Sequence, residues 1–245
     1  MSAILVLPGF LGSFGGAIDF IFSQRESVQA GAPIGGLDQI SHLLVTQMAI
    51  SVVALLIAIA IALPIGLWLG HRGVGEFAAV AVGNAGRAIP ELALIALMVA
   101  FIGTGALNVT IAVMILGIPP ILTNAFVGVR QVDPGAVDAA RGVGMTELEI
   151  VRRVELPLAV PTIMGGVRTA SVNIIATSTI GSLAGVETLG DLILGPATYG
   201  TEGVIAGAIV VALMALAFEL ILAAIQRTLT PPGLTLQRAA ARLSA

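Results

Sequence analysis

An uncharged apolar run from about Leu44 to Leu69 is the feature that most restricts how this chain folds. A bilayer core of about 30 Å is crossed by about 20 apolar residues in a helix, so this run is long enough to span it. Of the 245 residues, 57% are hydrophobic and 10% are charged, whereas a soluble domain carries about 25% charged residues. We therefore expect an all-α, polytopic membrane protein.

Four further apolar runs predict about five core transmembrane helices in all. Their approximate bounds are 89–101, 109–129, 160–183 and 204–225. Pro119 and Pro120 interrupt the run at 109–129, and a kink is expected there.

The N-terminal region predicts a separate segment. Its first 22 residues are apolar but rich in glycine and contain Pro8, which makes a poor spanning helix. We expect residues 1–40 to form an extracytoplasmic or interfacial lead-in, with a sixth span as the alternative. Residues 41–228 are then the transmembrane domain and residues 229–245 a cytoplasmic tail.

The distribution of arginine predicts the topology, since cytoplasmic links carry the excess of positive charge. All 11 basic residues are arginine. Nine of them lie in the links after the first and third predicted spans and in the segment after the fifth, and Arg168 lies inside the fourth span, whereas residues 103–108 and 185–203 contain none. This places the N-terminus outside and the C-terminus in the cytoplasm, with Arg25 as the exception.

Composition also excludes several kinds of chemistry. Without lysine or cysteine, the chain has no P-loop or Schiff-base lysine and no thiolate site. The two histidines, His42 and His71, are too few and too far apart to suggest a metal site. We expect no cofactor or metal in this chain, and the net charge of −3 gives no sign of a nucleic-acid partner.

Charge is concentrated between Arg130 and Glu155, where nine charged residues lie, against 11 basic and 14 acidic residues in the whole chain. Asp133-Pro134 predicts the start of a short helix, which Gly142 and Gly144 should end. A second short helix should begin at a capping box and end at a proline; the residues are Thr146 with Glu149, and Leu156-Pro157.

The spacing within this segment resembles a known motif. Asp138-Ala139-Ala140 is followed after three residues by Gly144, and after nine more by Val154-Glu155-Leu156-Pro157. This is similar to the EAA motif of the permease subunits of ATP-binding-cassette (ABC) importers: Glu-Ala-Ala, three residues, Gly, nine residues, Ile-x-Leu-Pro. The chain departs from this motif by two conservative substitutions, Asp138 for Glu and Val154 for Ile. The alternative is a solvated loop whose charges only hold the topology.

Longer stretches resemble the osmoprotectant branch of these permeases, between about Ser41 and Pro232. They are GRAIPELALIALMV, LGIPPILTNAFVGVRQVDP, AARGVGM, VELPLAVPTIMGGVRTA and LGDLI. Glu91 departs from the pattern, where a small or hydroxyl residue is expected. The resemblance implies the type I ABC importer (MetI-like) fold in a bacterial inner membrane, serving import of glycine betaine, choline, carnitine or proline betaine. The alternatives are a methionine-type amino-acid importer permease, a secondary transporter or a membrane scaffold.

The resemblance also implies how the segment at 133–158 works. A coupling helix at about 138–144 would dock on a separate ATPase subunit, and Gly144 would allow a sharp turn after it. The implied coupling residues are Asp138, Ala139, Ala140, Arg141, Gly144, Leu156 and Pro157. The chain itself would be no enzyme, since ATP and Mg would be held by the ATPase.

The resemblance implies four kinds of partner. They are two cassette ATPase subunits, a second permease subunit that is identical or homologous, an extracytoplasmic solute-binding protein, and membrane lipid.

Polar residues inside the predicted spans supply the remaining candidates. Thr169, Asn173 and Thr177 recur every four residues and share one helix face, which predicts a pore-lining stripe or, alternatively, packing between helices. Charged side chains inside membrane spans are usually paired with one another. We expect Arg168 to pair with Glu219 or Glu91, as a structural ion pair or as part of a gate.

Overall fold

Helices dominate the part of the chain that the computed structural model describes, residues 3–29 and 31–231. Within it, four helices are long and apolar enough to cross a membrane: Gly36–Arg72, Ala106–Arg130, Glu147–Ala184 and Pro196–Leu229. A fifth span is formed if Glu76–Gly86 and Glu91–Ile102, bent by 91°, are counted together. The expected all-α membrane fold with about five spans is confirmed.

The N-terminal part contains a helix and a small hairpin that the sequence did not predict. Helix α1, Ala3–Phe22, is followed by strands β1, Gln24–Glu26, and β2, Pro33–Gly35, which pair antiparallel. Its apolar stretch Gly12–Phe22 is shorter than a membrane span. Both a lead-in and a sixth span remain predictions for this region.

The first predicted span lies within α2, Gly36–Arg72, which is longer than its apolar run at both ends. The second lies in a pair of shorter helices, α3, Glu76–Ala88, and α4, Glu91–Ile102. The break between them follows from sequence, because the residue before a proline avoids the helical region. Ile89, before Pro90, is accordingly extended, with φ −72° and ψ 118°.

The third span, α5, is Ala106–Arg130 and continues as a helix through Pro119 and Pro120. After it come α6, Pro134–Gly142, and α7, Glu147–Ile150.

The prediction that Leu156-Pro157 ends the helix begun at Thr146 is wrong. A π-helical segment, Val151–Glu155, joins α7 directly to α8, Leu156–Ser178. A proline ring clashes with the carbonyl four residues earlier in an α-helix. For Pro157 that carbonyl belongs to Arg153, inside the wider π turn, where Leu156 N–H bonds to Val151 O. The helix therefore continues past the proline.

The last part of the described chain begins with a 3-10 turn, Thr179–Ala184, at the end of α8. Helix α9, Gly190–Leu194, and helix α10, Pro196–Leu229, follow. Gly200 breaks the regularity of α10, with φ 66° and ψ 179°. The fifth predicted span lies within α10.

The contacts between residues divide the chain into two compact units. The boundaries between the units fall inside α2, α5, α8 and α10 and between α3 and α4. The first unit comprises the described parts of Met1–Val53, Glu91–Val113 and Ile174–Leu216. The second comprises those of Ala54–Pro90, Met114–Asn173 and Ala217–Ala245.

In the first unit, Arg25 has a local reason for departing from the arginine distribution. It donates to the Gly16 carbonyl at 3.0 Å and to Asp19 at 2.6 Å, and it also pairs with Glu202 of α10. Val28 N–H of the hairpin loop bonds to the Thr198 carbonyl at 3.1 Å. The hairpin thus ties α1 to the start of α10.

Gln47 of α2 is the central polar residue of the first unit. Its fully buried amide donates to the Ile175 carbonyl of α8 and accepts from Leu189 N–H, both at 3.1 Å. A buried amide satisfied at both ends is costly to replace, because an apolar substitute would leave two backbone groups unpaired. Gln47 therefore links α2 to α8 and to Leu189, the residue before α9.

In the second unit, α2 and α5 approach so closely that glycine is required between them. A Cβ at Gly66 would lie 2.6 Å from Ala125 Cβ and 2.8 Å from Leu122 O, and one at Gly70 would lie 2.8 Å from Val129 Cβ. Two glycines four residues apart let helix backbones meet in a membrane, where packing drives association.

We expect Gly66→Ala to lower the thermal stability of the detergent-purified protein, because overpacking costs about 1–3 kcal/mol. Gly165→Ala is the matched control, since its added methyl group would meet nothing within 4 Å and a mid-helix Gly→Ala change stabilises by about 0.5–1 kcal/mol. The measurement is the midpoint of heat-induced aggregation. Equal midpoints for the two variants would show that the close approach is not needed.

Candidate coupling segment and solute path

Residues 133–158, the coupling segment, begin as the sequence predicts. The Asp133 carboxylate accepts from Gly135 N–H at 3.1 Å, and Pro134 takes the first helical position of α6. The helix ends at Gly142, and Gly144 has φ +85°. The expected sharp turn at Gly144 is confirmed, in a conformation that favours glycine.

The restart of the helix also follows prediction. Thr146 N–H donates to Glu149 Oε2 at 3.0 Å, while Glu149 N–H donates to Thr146 Oγ1 at 3.4 Å. This reciprocal pair is the predicted capping box. The turn between α6 and α7 is thus fixed by one glycine and one cap.

The exposed face of the coupling segment carries charge and apolar surface together. Asp138, Ala139, Arg141 and Gly144 are exposed, whereas Ala140 is buried. Val143, between Arg141 and Gly144, is 76% exposed. Such a mixed face suits docking on another protein.

Arg141 is held in place by two neighbouring carboxylates. Its Nε and Nη2 donate to the two Glu147 oxygens at 3.3 and 3.2 Å, and Nη1 lies 3.6 Å from Asp138. The hydrogen bonds to the Glu147 carboxylate raise the pKa of the Arg141 guanidinium. The guanidinium therefore stays charged and oriented at the surface. Leu156 and Pro157 are half-buried further along.

His71 is the residue at this segment that sequence reasoning missed. Its Nδ1 lies 2.8 Å from Glu155 and its Nε2 3.0 Å from Glu147. His71 ends the first predicted span, far from both glutamates in sequence. No spacing signal in the sequence connects His71 with Glu147 or Glu155.

An amide-rich cavity of about 240 Å³ lies in the second unit, among α3, α5 and α8. Its polar lining consists of Asn84, Asn124, Asn173, Thr123 and Thr169. Thr169 and Asn173 are therefore brought to one cavity, as their spacing suggested. The side-chain amides of Asn84 and Asn173 make no hydrogen bond with other residues in the described ranges, and both residues are exposed at this cavity.

Thr177 differs from the other two members of the predicted stripe. It belongs to the first unit, where it is fully buried. Its hydroxyl has no hydrogen-bond partner among the described residues. A pore role for Thr177 stays a prediction, with packing as the alternative.

Arg168 pairs with Glu219, one of its two expected partners. Its Nε donates to Glu219 Oε1 at 2.8 Å, and its Nη1 donates to Gln226 Oε1 at 3.1 Å. A second cavity, of about 380 Å³, is lined by Arg168, Glu219, Thr169 and Asn173 among others. The pair thus borders the space that the predicted stripe faces. Glu91 is exposed at the first residue of α4.

The spanning helices and the exposed EAA-type segment define the permease subunit of a membrane importer. The chain belongs to the family of binding-protein-dependent transport system inner membrane components, which matches residues 62–231. It is a multi-pass membrane protein.

Relatives support this assignment. Over 189 residues, 77% of this chain and 87% of the relative, it is 35% identical to the choline transport system permease protein OpuBB of Bacillus subtilis (strain 168). Over the same shares it is 34% identical to the glycine betaine/carnitine/choline transport system permease protein OpuCB of that organism.

A solved structure supports the fold. An inward-facing conformation of the MetNI methionine ABC transporter matches with a TM-score of 0.70 and 20% identity, over 80% of this chain and 98% of that one. The expected type I importer fold is confirmed.

We expect Arg168→Leu and Glu219→Leu each to lower thermal stability, because each leaves one charge without its partner inside a spanning helix, where charged side chains are costly. The double variant should recover most of that loss, giving clear non-additivity. Arg227→Leu, at the exposed end of α10, serves as a control with little effect. Strictly additive losses would contradict an energetic link between Arg168 and Glu219.

Proposed function

We propose that this chain is the transmembrane permease subunit of an ATP-driven importer of osmoprotectants such as glycine betaine, choline or carnitine. The coupling segment carries the proposal, since its α6, Gly144 turn and capping box match the EAA pattern in a chain of the importer permease family. The solutes named for its relatives support the solute class.

Partner proteins supply the other subunits of the importer. Two cassette ATPase subunits hold ATP and Mg, since this chain contributes no ATPase site. A second permease subunit, identical or homologous, completes the pathway, and an extracytoplasmic binding protein delivers the solute. In this arrangement the N-terminus lies outside and the coupling segment in the cytoplasm of a bacterial cell.

ATP binding drives transport by favouring one of two conformations. The ATPase pair binds ATP better when closed, and ATP binding can shift the permease only by as much as that difference in affinity. Closure displaces α6, which moves the spans as rigid bodies and opens the pathway outward. Asp138 and Arg141 contact the ATPase, and Gly144 fixes the angle at which α6 is presented.

The two cavities of the second unit provide a passage for a small polar solute. Amide and hydroxyl groups can replace part of the hydration shell of a zwitterion without holding it tightly. An aromatic cage that would bind a quaternary ammonium strongly is lacking among the lining residues of both cavities. Tight capture is thus left to the binding protein, and the permease only conducts.

Recovery of an ATPase with the tagged protein tests the docking role. We expect a cassette ATPase to co-purify with wild type in mild detergent. Gly144→Ala should reduce that recovery about ten-fold, because a left-handed conformation costs a non-glycine residue about 1–2 kcal/mol. Gly142→Ala, at a helical position where the methyl group meets nothing within 4 Å, should behave as wild type. Absence of any ATPase from the wild-type complex would instead favour a secondary transporter or scaffold.

Substitutions in the cavity test the solute path. We expect Asn173→Ala and Thr169→Ala to change the uptake rate of labelled glycine betaine and choline at unchanged membrane levels. Thr177→Ala, buried away from the cavity, should change uptake less. Wild-type uptake in all three variants would assign these residues to packing. Uptake of methionine in place of the osmoprotectants would favour the amino-acid permease.

A further inference from the structure

His71 lies between two carboxylates of the coupling segment, and burial separates their roles. The side chains of His71 and Glu155 are 7% and 5% exposed, whereas that of Glu147 is 62% exposed. Both ring nitrogens face carboxylate oxygens, which only accept hydrogen bonds. Nδ1 is within hydrogen-bond distance of Glu155 at 2.8 Å, and Nε2 lies 3.0 Å from a Glu147 oxygen.

The two contacts of His71 differ in strength. Removing His71 would leave the Glu155 carboxylate buried without a partner, which is the costly way to break a buried pair. The contact to Glu147, whose side chain is exposed, contributes far less. Glu155 is therefore the fixed anchor of His71, and Glu147 is a contact that can adjust as the segment moves.

Glu147 extends the connection to α6. One carboxylate receives both His71 and Arg141, whose distances to it are 3.0 and 3.2 Å. The ion pairs therefore run from Arg141 on α6 through Glu147 to His71 at the end of α2, and on to Glu155 in the π segment. We call His71, Glu147 and Glu155 the histidine joint.

Packing beside the histidine joint is incomplete. A cavity of about 230 Å³ borders His71, Arg141 and Glu155, and it is also lined by Val129, Val137 and Asp138. Apolar side chains do not fill the space next to this side of α6. The side-chain contacts through Glu147 and His71 therefore add a polar link to the packing of α6 against α7 and the π segment.

We propose that His71 is a positioning residue for energy coupling, which makes displacement of α6 move α2 and α8 together. This inference rests on the proposed importer function. Without the histidine joint, α6 would turn about the exposed Val143–Gly144 segment while the spans stayed behind. ATP would then be hydrolysed with little solute moved, so the affected quantity is the ratio of uptake to hydrolysis.

The test uses the complete complex, permease with its co-purified ATPase, reconstituted in liposomes with its binding protein. Glycine betaine uptake and phosphate release are measured together. The double variant His71→Leu/Glu155→Leu removes both members of the buried pair, and such apolar replacements are often neutral or stabilising. We expect it to assemble and hydrolyse ATP while uptake per ATP falls at least ten-fold. A normal ratio would reduce the pair to a structural role and overturn the proposal.

Glu147→Ala decides the matter even where the double variant does not fold. The residue is exposed, so its loss leaves the fold intact, yet it cuts the link from Arg141 to His71. We expect uptake per ATP to fall several-fold at an unchanged membrane level. An unchanged ratio would overturn the proposal.

The chain offers a matched control in its other histidine. His42 lies 3.5 Å from Glu187, with both side chains largely exposed at 64% and 74%. His42→Leu should leave uptake per ATP as in wild type, and an equal loss there would overturn the specific role of His71. Failure of wild type itself to recover an ATPase would count against the proposed importer function, whereas normal coupling in the joint variants would count against this inference alone.

Discussion

Every backbone N–H and C=O within a bilayer must find its partner inside the protein, and the rest of this structure follows from that requirement. It makes the long apolar runs into helices, and it confines breaks in those helices to places where another group restores the bonding. The π segment and the 3-10 turn at the two ends of α8 keep the backbone bonded. Gln47 does the same for Ile175 and Leu189 with its side chain.

Charged side chains are paired inside the protein in the same way. Arg25, Arg168 and His71 each face at least one carboxylate. Both pairs border cavities, but they differ in exposure, since the side chains of Arg168 and Glu219 are about a third exposed while those of His71 and Glu155 are almost fully buried. A partly exposed pair can exchange partners with water or solute, whereas an almost fully buried pair keeps one geometry. The two sites are thus suited to passage and to transmission, respectively.

Much of this could be predicted from the chain alone. Apolar length located the spans, and local chemistry located the Gly144 turn, the Thr146 cap and the start of α6, because each depends on neighbours within a few residues. The effect of Pro157 was predicted wrongly, because it depends on whether the preceding turn is α-helical or π-helical. Residue propensities do not distinguish the two.

Long-range contacts were harder to anticipate. Arg168 had two plausible carboxylates and only the fold selects Glu219. His71 had no signal at all, because its partners lie far along the chain and the motif leaves position 155 free. The spacing of Thr169, Asn173 and Thr177 correctly placed two residues at one cavity, but a helical repeat says nothing about where along the helix the cavity stops.

The π segment between Val151 and Glu155 has a geometric consequence for α8. A π turn holds one residue more than the α-helix around it, and each α-helical residue turns the chain by about 100°. Every side chain from Leu156 onward is therefore rotated by that angle relative to an uninterrupted helix starting at Thr146. Deleting one residue from this segment would rotate Thr169 and Asn173 away from their cavity without changing either residue. The rotation of the fourth span about its own axis is therefore set by the coupling segment that precedes it.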